Sequence, residues 1–370
     1  MTDREQTGID IRQLLGVIRE MVGEVHPHWK NLHFTPDTHL ERELGLDSMA
    51  RMELRTRIET RFGIPLPETA AISAMTPNEL LHGLQLASAG GGVAAAALPG
   101  PGSQNNADDL LMGPFANAGR TGEVRRPTVG DWLFASYAWP VFIVLGIITW
   151  VLVVFAPFES WRRKFAHLGA RALFLCTFTP FRVTGREHLA HDRAQIIVAN
   201  HSSYLDGFII TAALDIPIHF IVKGELASNL PARILLQRFG VEFVDRFNAG
   251  KGISDVSRIA RKSRNGQSIV FFPEGTFTSF PGLQPFRMGA FVTAARSAAP
   301  VVPVAIQGAR DILRGSHWFP FRGRISVTIS AAIPPAGEGW KVALNLRDAA
   351  RREISRHCGE IDLAEDYQDD

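Results

Sequence analysis

Apolar residues at helical spacing predict a small helical unit over residues 1–87. The first helix is marked by apolar side chains three or four positions apart, at Ile11, Leu14, Leu15, Ile18 and Val22. A second helix is predicted over residues 48–62. A third opens at residues 76–79, Thr-Pro-Asn-Glu, which combine a capping-box pattern with proline at the first helical position. The unit is therefore expected to be an all-helical bundle.

A change in composition separates this unit from the rest of the chain. Residues 88–130 are rich in Gly, Ala, Pro, Ser and Asn and include consecutive glycines at 90–92, which is typical of a flexible linker. A Gly-rich coil of about 43 residues spans about 35 Å root-mean-square. We therefore predict a long tether between two folded parts.

The most apolar segment follows this linker. No charged side chain stands between Asp131 and Glu159, and residues 141–155 are almost entirely aliphatic or aromatic. A helix of about 20 residues covers the ~30 Å hydrocarbon layer of a bilayer. Tryptophans are frequent near lipid headgroups, and four stand in or beside this run, at Trp132, Trp139, Trp150 and Trp161. With Pro157 ending the first helix, we expect a membrane-associated helical hairpin over residues 131–178; the alternative is a helix buried in a soluble core.

After residue 178 the pattern changes to strands that alternate with helices. Strands are predicted at residues 181–183, 196–199, 219–222, 241–244, 268–272, 301–306 and 324–330. A last helix is predicted over about residues 342–358. This alternation is typical of an α/β domain with a mostly parallel sheet, which we place at residues 179–358, with a tail over 359–370.

Composition narrows the functional classes. The net charge is +2 and 46% of residues are hydrophobic, which fits neither a disordered tail nor an electrostatic nucleic-acid binder. The two cysteines form no disulfide framework and have no metal-ligand spacing, so we expect a reducing compartment and no metal. The N-terminal residues lack the apolar run of a secretion signal, and none is expected.

Residues 200–206, Asn-His-Ser-Ser-Tyr-Leu-Asp, carry the first candidate chemistry. They follow a predicted buried strand, and Ser203 with Asp206 three positions later predicts a helix N-cap with an acidic N3 residue. In such a strand–turn–helix, Asp206 can hold one imidazole nitrogen of His201 while the other accepts a proton from a substrate hydroxyl. The alternative is a capped helix start with an incidental histidine.

A second candidate lies at residues 44–49, Leu-Gly-Leu-Asp-Ser-Met, where Ser48 opens a helix beside an aspartate. With the segment 62–67, Phe-Gly-Ile-Pro-Leu-Pro, this makes residues 9–87 resemble an acyl carrier protein, a four-helix bundle. The resemblance implies that Ser48 carries a covalent 4'-phosphopantetheine, whose thiol holds an acyl chain as a thioester. The alternative is a plain serine N-cap.

The helix after Ser48 departs from the carrier pattern. Carriers usually have an acidic helix here that docks basic partners, whereas this one contains four arginines, at Arg51, Arg55, Arg57 and Arg61. A dedicated docking partner is therefore expected.

Four blocks in the α/β part form a family pattern. They lie at residues 200–206, 240–246 (Gly-Val-Glu-Phe-Val-Asp-Arg), 272–276 (Phe-Pro-Glu-Gly-Thr) and 302–306 (Val-Pro-Val-Ala-Ile). Their succession resembles the PlsC-type glycerolipid acyltransferases, the 1-acylglycerol-3-phosphate acyltransferases, over about residues 130–355. Each block alone is weak evidence for this family, but the four blocks together at this spacing are specific to it.

This resemblance gives the remaining candidate residues their expected roles. His201 backed by Asp206 is the base, and a covalent role for Ser202 or Ser203 is the lesser alternative. A phosphate on the acceptor would be held by Arg246 with Lys223 as a helper, although Arg246 beside Asp245 also fits ordinary ion pairing. Further acceptor-binding candidates lie in and after the third block, at Glu274, Gly275, Thr276 and Arg287.

The expected function is transfer of a fatty acyl group from a phosphopantetheine thioester, in cis on Ser48 or in trans, to the hydroxyl of a lysophospholipid such as 1-acyl-glycerol-3-phosphate. The implied partners are the membrane surface, a phosphopantetheinyl transferase and an acyl-loading enzyme. We expect a monotopic hairpin at the cytoplasmic face, with a single membrane span as the alternative. The other functional readings are an acyltransferase for a lyso-amino-acid lipid or glycolipid, and a non-catalytic lipid-binding module that carries an acyl chain.

Overall fold

The computed structural model describes residues 10–363, apart from residues 28, 30–32, 68–69, 72–73, 89–125, 224–229, 239, 245–248, 277–280 and 316–317. Most of the predicted linker, Arg246 and the end of the predicted tail lie outside the described residues. The chain divides into two compact units.

Three helices are delimited in the described part of the first unit: α1 (Ile11–Val25), α2 (Ser48–Phe62) and α3 (Pro77–Ser88). Hydrogen bonds from Ala71 N to Pro67 O and from Ala74 N to Ala70 O mark a further helical turn. The Asp47 carboxylate caps α2 by accepting from Ala50 N at 2.8 Å. Ser48 is therefore the first helical residue, and the plain serine N-cap is wrong because Asp47 caps the helix.

The second unit opens with the helical hairpin, α4 (Val129–Phe155) followed by α5 (Glu159–Cys176). α4 ends before Pro157, because the residue preceding a proline is driven into extended backbone. The two helices run antiparallel: Tyr137 Oη near the start of α4 donates to Cys176 O at the end of α5, at 2.8 Å. Thr149, further along α4, packs against Gly169.

Helix α4 exposes most of its apolar surface within this unit. It has 27 residues, long and apolar enough to cross a membrane, and 11% of its most apolar stretch is buried. Examples of exposed side chains are Leu133, Ile147 and Phe155, at 67%, 60% and 75%. This exposure argues against the buried-core alternative and fits association with a membrane.

The described residues after the hairpin form a seven-stranded sheet whose strands all match the predicted ones. They are β1 (Phe181–Thr184), β2 (Ile196–Ala199), β3 (Ile218–Lys223), β4 (Glu242–Val244), β5 (Ser268–Phe271), β6 (Val301–Gln307) and β7 (Ile325–Ile329). The strand order is β1-β7-β6-β2-β5-β3-β4. Every pairing is parallel except that of β6 with β7. The predicted α/β class with a mostly parallel sheet is therefore confirmed.

Helices alternate with these strands along the chain. They are α6 (Asp206–Ala213), α7 (Leu230–Arg238), α8 (Ala249–Arg264), α9 (Gly289–Ser297), α10 (Ala309–Ile312) and α11 (Trp340–Cys358), with a 3-10 turn at Arg186–His188. β2 is central, and its four side chains are fully buried, as expected for a parallel strand covered on both faces.

The contact between α4 and α5 can be tested by adding one methyl group. We expect Gly169→Ala to lower the free energy of unfolding by about 1–3 kcal/mol, because the new Cβ would lie 2.2 Å from Thr149 Oγ1. The matched control is Gly146→Ala on α4, where a Cβ meets no atom within 4 Å and where alanine favours the helix by about 1 kcal/mol. Thermal unfolding in detergent micelles measures both. Equal midpoints for the two variants would contradict close packing of the hairpin.

Candidate active site

Two candidate residues, His201 and Glu274, lie at the carboxyl edge of the sheet. β2 and β5 are parallel neighbours, so the residues that follow them, His201 and Glu274, meet at the same edge. β3 pairs with β5, which puts the backbone of Lys223 at this edge as well. The side chain of Lys223 and all of Arg246 lie outside the described residues.

His201 and Asp206 form a close pair. His201 Nδ1 lies 2.8 Å from Asp206 Oδ2, and the Asp206 side chain is fully buried whereas that of His201 is 20% exposed. Because a carboxylate only accepts hydrogen bonds, Nδ1 carries the proton in this pair and Nε2 is left as an acceptor. The same Oδ2 accepts from the backbone N–H groups of Ser202 and Ser203, at 2.7 and 2.9 Å.

The helix after this turn begins later than its sequence predicts. α6 starts at Asp206 with Leu205 as N-cap and no side-chain cap, so the prediction of Ser203 as N-cap is wrong by two residues. The Ser203 hydroxyl donates to Leu313 O at 2.6 Å and accepts from Leu205 N at 3.1 Å. Since Ser203 is fully buried and its proton is engaged, this residue is unsuited to act as a covalent nucleophile.

Asn200 was part of the motif but had no predicted role. Its side-chain amide donates to Ile306 O at 2.9 Å and accepts from Ile306 N at 2.7 Å, which ties the end of β2 to β6. The His201 ring stacks on Phe272, with ring centroids 4.4 Å apart. The turn at residues 200–206 is thus fixed to both neighbouring strands. The contacts of Asn200 with Ile306 and of His201 with Phe272 follow from the strand order, which sequence patterns do not predict.

Glu274 is buried and its two carboxylate oxygens point at backbone amides. Oε1 accepts from His201 N at 2.5 Å and Oε2 from Gln284 N at 2.8 Å. Burial raises the pKa of Glu274 to about 8, although the two N–H donors partly oppose this shift. The structure therefore directs Glu274 towards the backbone of the turn at residues 200–206.

Three other predicted acceptor-binding residues, Gly275, Thr276 and Arg287, lie close to Glu274 along the backbone. Gly275 has φ +80 and its N–H donates to Phe272 O, a turn that favours glycine. Thr276 is half-buried beside it. Arg287 N donates to Pro273 O at 2.9 Å, while Arg287 as a whole is exposed.

An apolar cavity of about 100 Å³ adjoins the turn at residues 200–206. Its walls come from α4, α5, α6 and the segment around residues 312–320, and they include Phe134, Phe142, Phe174, Leu205, Phe208 and Leu313. Tyr204, three positions after His201, also lines it and stacks on Trp318 with ring centroids 5.0 Å apart. A hydrocarbon chain is the ligand that such a lining favours.

In the first unit, Ser48 stands half-exposed at the N-terminus of α2. The positive end of a helix dipole favours a phosphate group, so this position fits a phosphopantetheine attached through its phosphodiester. The turn before it needs Gly45, which has φ +63 and whose Cβ would lie 2.5 Å from His26 Nε2.

Three of the four arginines on α2 form ion pairs within the first unit. Arg51 pairs with Glu41 at 3.0 Å, Arg55 with Glu59 at 3.1 Å and Arg57 with Glu24 at 2.7 Å. Arg61 is exposed. The expectation of a dedicated docking partner stays a prediction, but most of this positive charge is balanced locally.

Two domain families match the chain. Residues 180–307 match the family described as acyltransferase, and residues 13–84 match the phosphopantetheine attachment site. The chain joins a phosphopantetheine-attachment domain to an acyltransferase domain. The phosphopantetheine-attachment domain implies a covalently attached 4'-phosphopantetheine.

Full-length relatives support the acyltransferase domain. The chloroplastic 1-acyl-sn-glycerol-3-phosphate acyltransferase of Brassica napus is 32% identical over 228 residues, 60% of this chain and 64% of that protein. The human 1-acyl-sn-glycerol-3-phosphate acyltransferase beta is 28% identical over 158 residues, 42% of this chain and 57% of that protein. The chain therefore spans less than two thirds of these relatives.

A solved structure shares the fold. The 1-acyl-sn-glycerophosphate acyltransferase PlsC of Thermotoga maritima superposes with a TM-score of 0.52 at 21% identity, over 62% of this chain and 96% of that one. At this identity the likeness concerns the fold of the acyltransferase domain.

The buried Glu274 predicts a pH-dependent stability of this domain. With a pKa of about 8 when folded, against an ordinary value of 4.5, the folded state holds the proton more tightly than the unfolded state. Protonation of Glu274 therefore contributes to the free energy of unfolding. This contribution is fully present below pH 4.5 and is lost as pH rises towards 8, at up to about 1.4 kcal/mol per pH unit. Urea unfolding in detergent from pH 5 to 8 should show this slope in the wild type and not in Glu274→Gln. Parallel slopes would contradict the raised pKa.

Proposed function

We propose that this protein transfers a fatty acyl group from a phosphopantetheine thioester on Ser48 to the hydroxyl of a lysophospholipid, with 1-acyl-glycerol-3-phosphate as the acceptor, in phospholipid biosynthesis. The observation that carries the proposal is the His201–Asp206 pair at 2.8 Å, beside an apolar cavity. The names of the Brassica and human relatives favour the acceptor.

His201 is the general base in this proposal. Asp206 holds the Nδ1 proton and so orients Nε2 as a proton acceptor. Nε2 takes the proton of the acceptor hydroxyl while the hydroxyl oxygen bonds to the acyl carbon, and it returns that proton to the sulfur that leaves. General-base catalysis of this kind contributes about 10²–10⁴-fold.

The acyl donor is held by the first domain. When attached to Ser48, the phosphopantetheine supplies a thiol that carries the acyl chain as a thioester. The apolar cavity between α4, α5 and α6 offers an apolar lining for part of that chain. A tether also raises the donor concentration to about the millimolar range, which favours transfer in cis.

Cationic side chains would hold the acceptor phosphate. We assign this role to Arg246, whose guanidinium can bind a phosphate with two hydrogen bonds, and to Lys223 as a compact charge. Arg287 adds an exposed positive charge after β5. Gly275 and Thr276 complete the acceptor side of the site in this proposal.

The α4–α5 hairpin would lie in one leaflet, with both domains at the cytoplasmic face. Its antiparallel course supports the placement of both domains on one side of the bilayer, because the chain leaves α5 on the side where it entered α4. A single span without return would put the two domains on opposite sides of the bilayer and prevent transfer in cis.

The topology predicts that protease reaches both domains in sealed inverted vesicles. Antibodies against residues 10–27 and against residues 340–358 would report the cleavage, and vesicles opened with detergent are the control. Protection of one domain only would rule out the one-leaflet hairpin.

The transfer itself can be followed by mass spectrometry of the intact protein with an acyl chain loaded on Ser48. On mixing with lysophosphatidate vesicles, we expect the acyl mass to leave the protein, and His201→Ala to slow this loss by about 10²–10⁴-fold. His191→Ala, an exposed histidine of the same domain, is the matched control and should stay within about twofold.

Unchanged transfer in His201→Ala would contradict the mechanism. Equal transfer to lysolipids without a phosphate would instead assign the enzyme to a specialised acceptor. A rate that does not depend on protein concentration supports transfer in cis, whereas a rate proportional to it indicates transfer in trans.

A further inference from the structure

The last described residues of the chain, 360–363, pair with the segment 282–284; we name residues 360–363 the C-terminal latch. Leu283 N donates to Ile361 O at 2.8 Å, and Leu363 N donates to Leu283 O at 3.2 Å. Gly282 has φ +129, and a Cβ there would lie 2.5 Å from Leu363 Cγ. The latch and this segment are thus in tight backbone contact.

Two buried arginines hold the latch in place. Arg310 binds Glu360 with two hydrogen bonds of 2.8 Å, and Glu360 also accepts from Gly282 N at 2.9 Å. Arg351 Nε lies 3.0 Å from both carboxylate oxygens of Asp362. Both arginines are more than nine-tenths buried, where such charge-assisted pairs are costly to break.

Arg351 also binds residues 282–284, the segment that the latch contacts. Its Nη1 donates to Gln284 O at 2.6 Å and its Nη2 to Leu283 O at 3.0 Å, and its guanidinium lies over the Phe286 ring at 4.9 Å. Asp362 therefore fixes Arg351, and Arg351 fixes the backbone at Gln284.

From Gln284 one hydrogen-bonded path leads to the turn at residues 200–206. Gln284 N donates to Glu274 Oε2, and Glu274 Oε1 accepts from His201 N. The His201 ring is held by Asp206 and its backbone by Glu274. A shift of Gln284 changes the second hydrogen bond of Glu274, and through it the anchor of the His201 backbone.

We propose that the C-terminal latch is a positioning element of the acyltransferase site, acting on His201 through Arg351, Gln284 and Glu274. Glu274 in this proposal is a positioning residue for His201 and makes no contact with the acceptor. The consequence for catalysis rests on the proposed role of His201 as base. Displacing a base by about 1 Å can cost about 100-fold in rate.

The test uses Asp362→Asn in the full chain, which removes the charge that fixes Arg351 and keeps the side-chain shape. We expect kcat for acyl transfer to fall about 10- to 100-fold, with KM for the lysolipid within about twofold. The matched control is Asp348→Asn on α11. This substitution deprives the equally buried Arg347 of a carboxylate at 2.8 Å. Among the described contacts, Asp348 has no link to residues 282–284. The kcat of this variant should therefore stay near that of the wild type.

A second readout keeps the proposal separate from the proposed function. In protein labelled with ¹³C-histidine, the His201 resonance, assigned by its loss in His201→Ala, should shift in Asp362→Asn and Glu360→Gln and stay in place in Asp348→Asn. If the wild type transfers no acyl chain but the resonance shifts, the proposed function fails and the coupling stands.

Hydrogen exchange tests the coupling without any substitution. In the wild type, the amides of His201 and Gln284 share one buried carboxyl group, so both should be protected from exchange. Should the latch variants fail to fold, free exchange at either amide in the wild type would overturn the proposal, and protection of both would support it. An unshifted resonance together with an unchanged kcat in a folded Asp362→Asn would also overturn it.

Discussion

Parallel pairing between β2 and β5 is the constraint on which the acyltransferase site depends. Because the two strands are neighbours and run in the same direction, the turns that follow them meet at one edge of the sheet. This brings the backbone of His201 within hydrogen-bond distance of Glu274, although 73 positions separate them in the sequence. Asn200 adds the link to β6 on the other side. The backbone around His201 is therefore fixed by three strands, and its position is a property of the sheet.

The features that the sequence predicts well are local ones. Each strand could be placed because a short run of β-branched residues between turns is a signal within one segment. The contact of His201 with Asp206 could be inferred because both lie in one turn, five positions apart. The start of α2 at Ser48 follows likewise from the neighbouring Asp47.

The features that the sequence does not predict depend on partners far along the chain. The local capping rule failed at Ser203 because its hydroxyl binds Leu313, 110 positions away. Arg57 on α2 looked like free positive charge, yet it pairs with Glu24, 33 positions earlier. Glu274 was an acceptor-binding candidate by family resemblance, and its burial and its hydrogen bond to the backbone of His201 are further contacts that the sequence does not show. Such contacts follow from strand order and helix packing, which periodicity does not encode.

The ion pairs on α2 have a consequence for how the carrier domain meets other proteins. Glu53 and Glu59 are the two acidic residues of this helix, and arginines of the same helix bind both. Little unbalanced charge remains there to attract a partner over distances beyond the Debye length. Encounters through this helix should therefore depend weakly on ionic strength and rest on short-range fit.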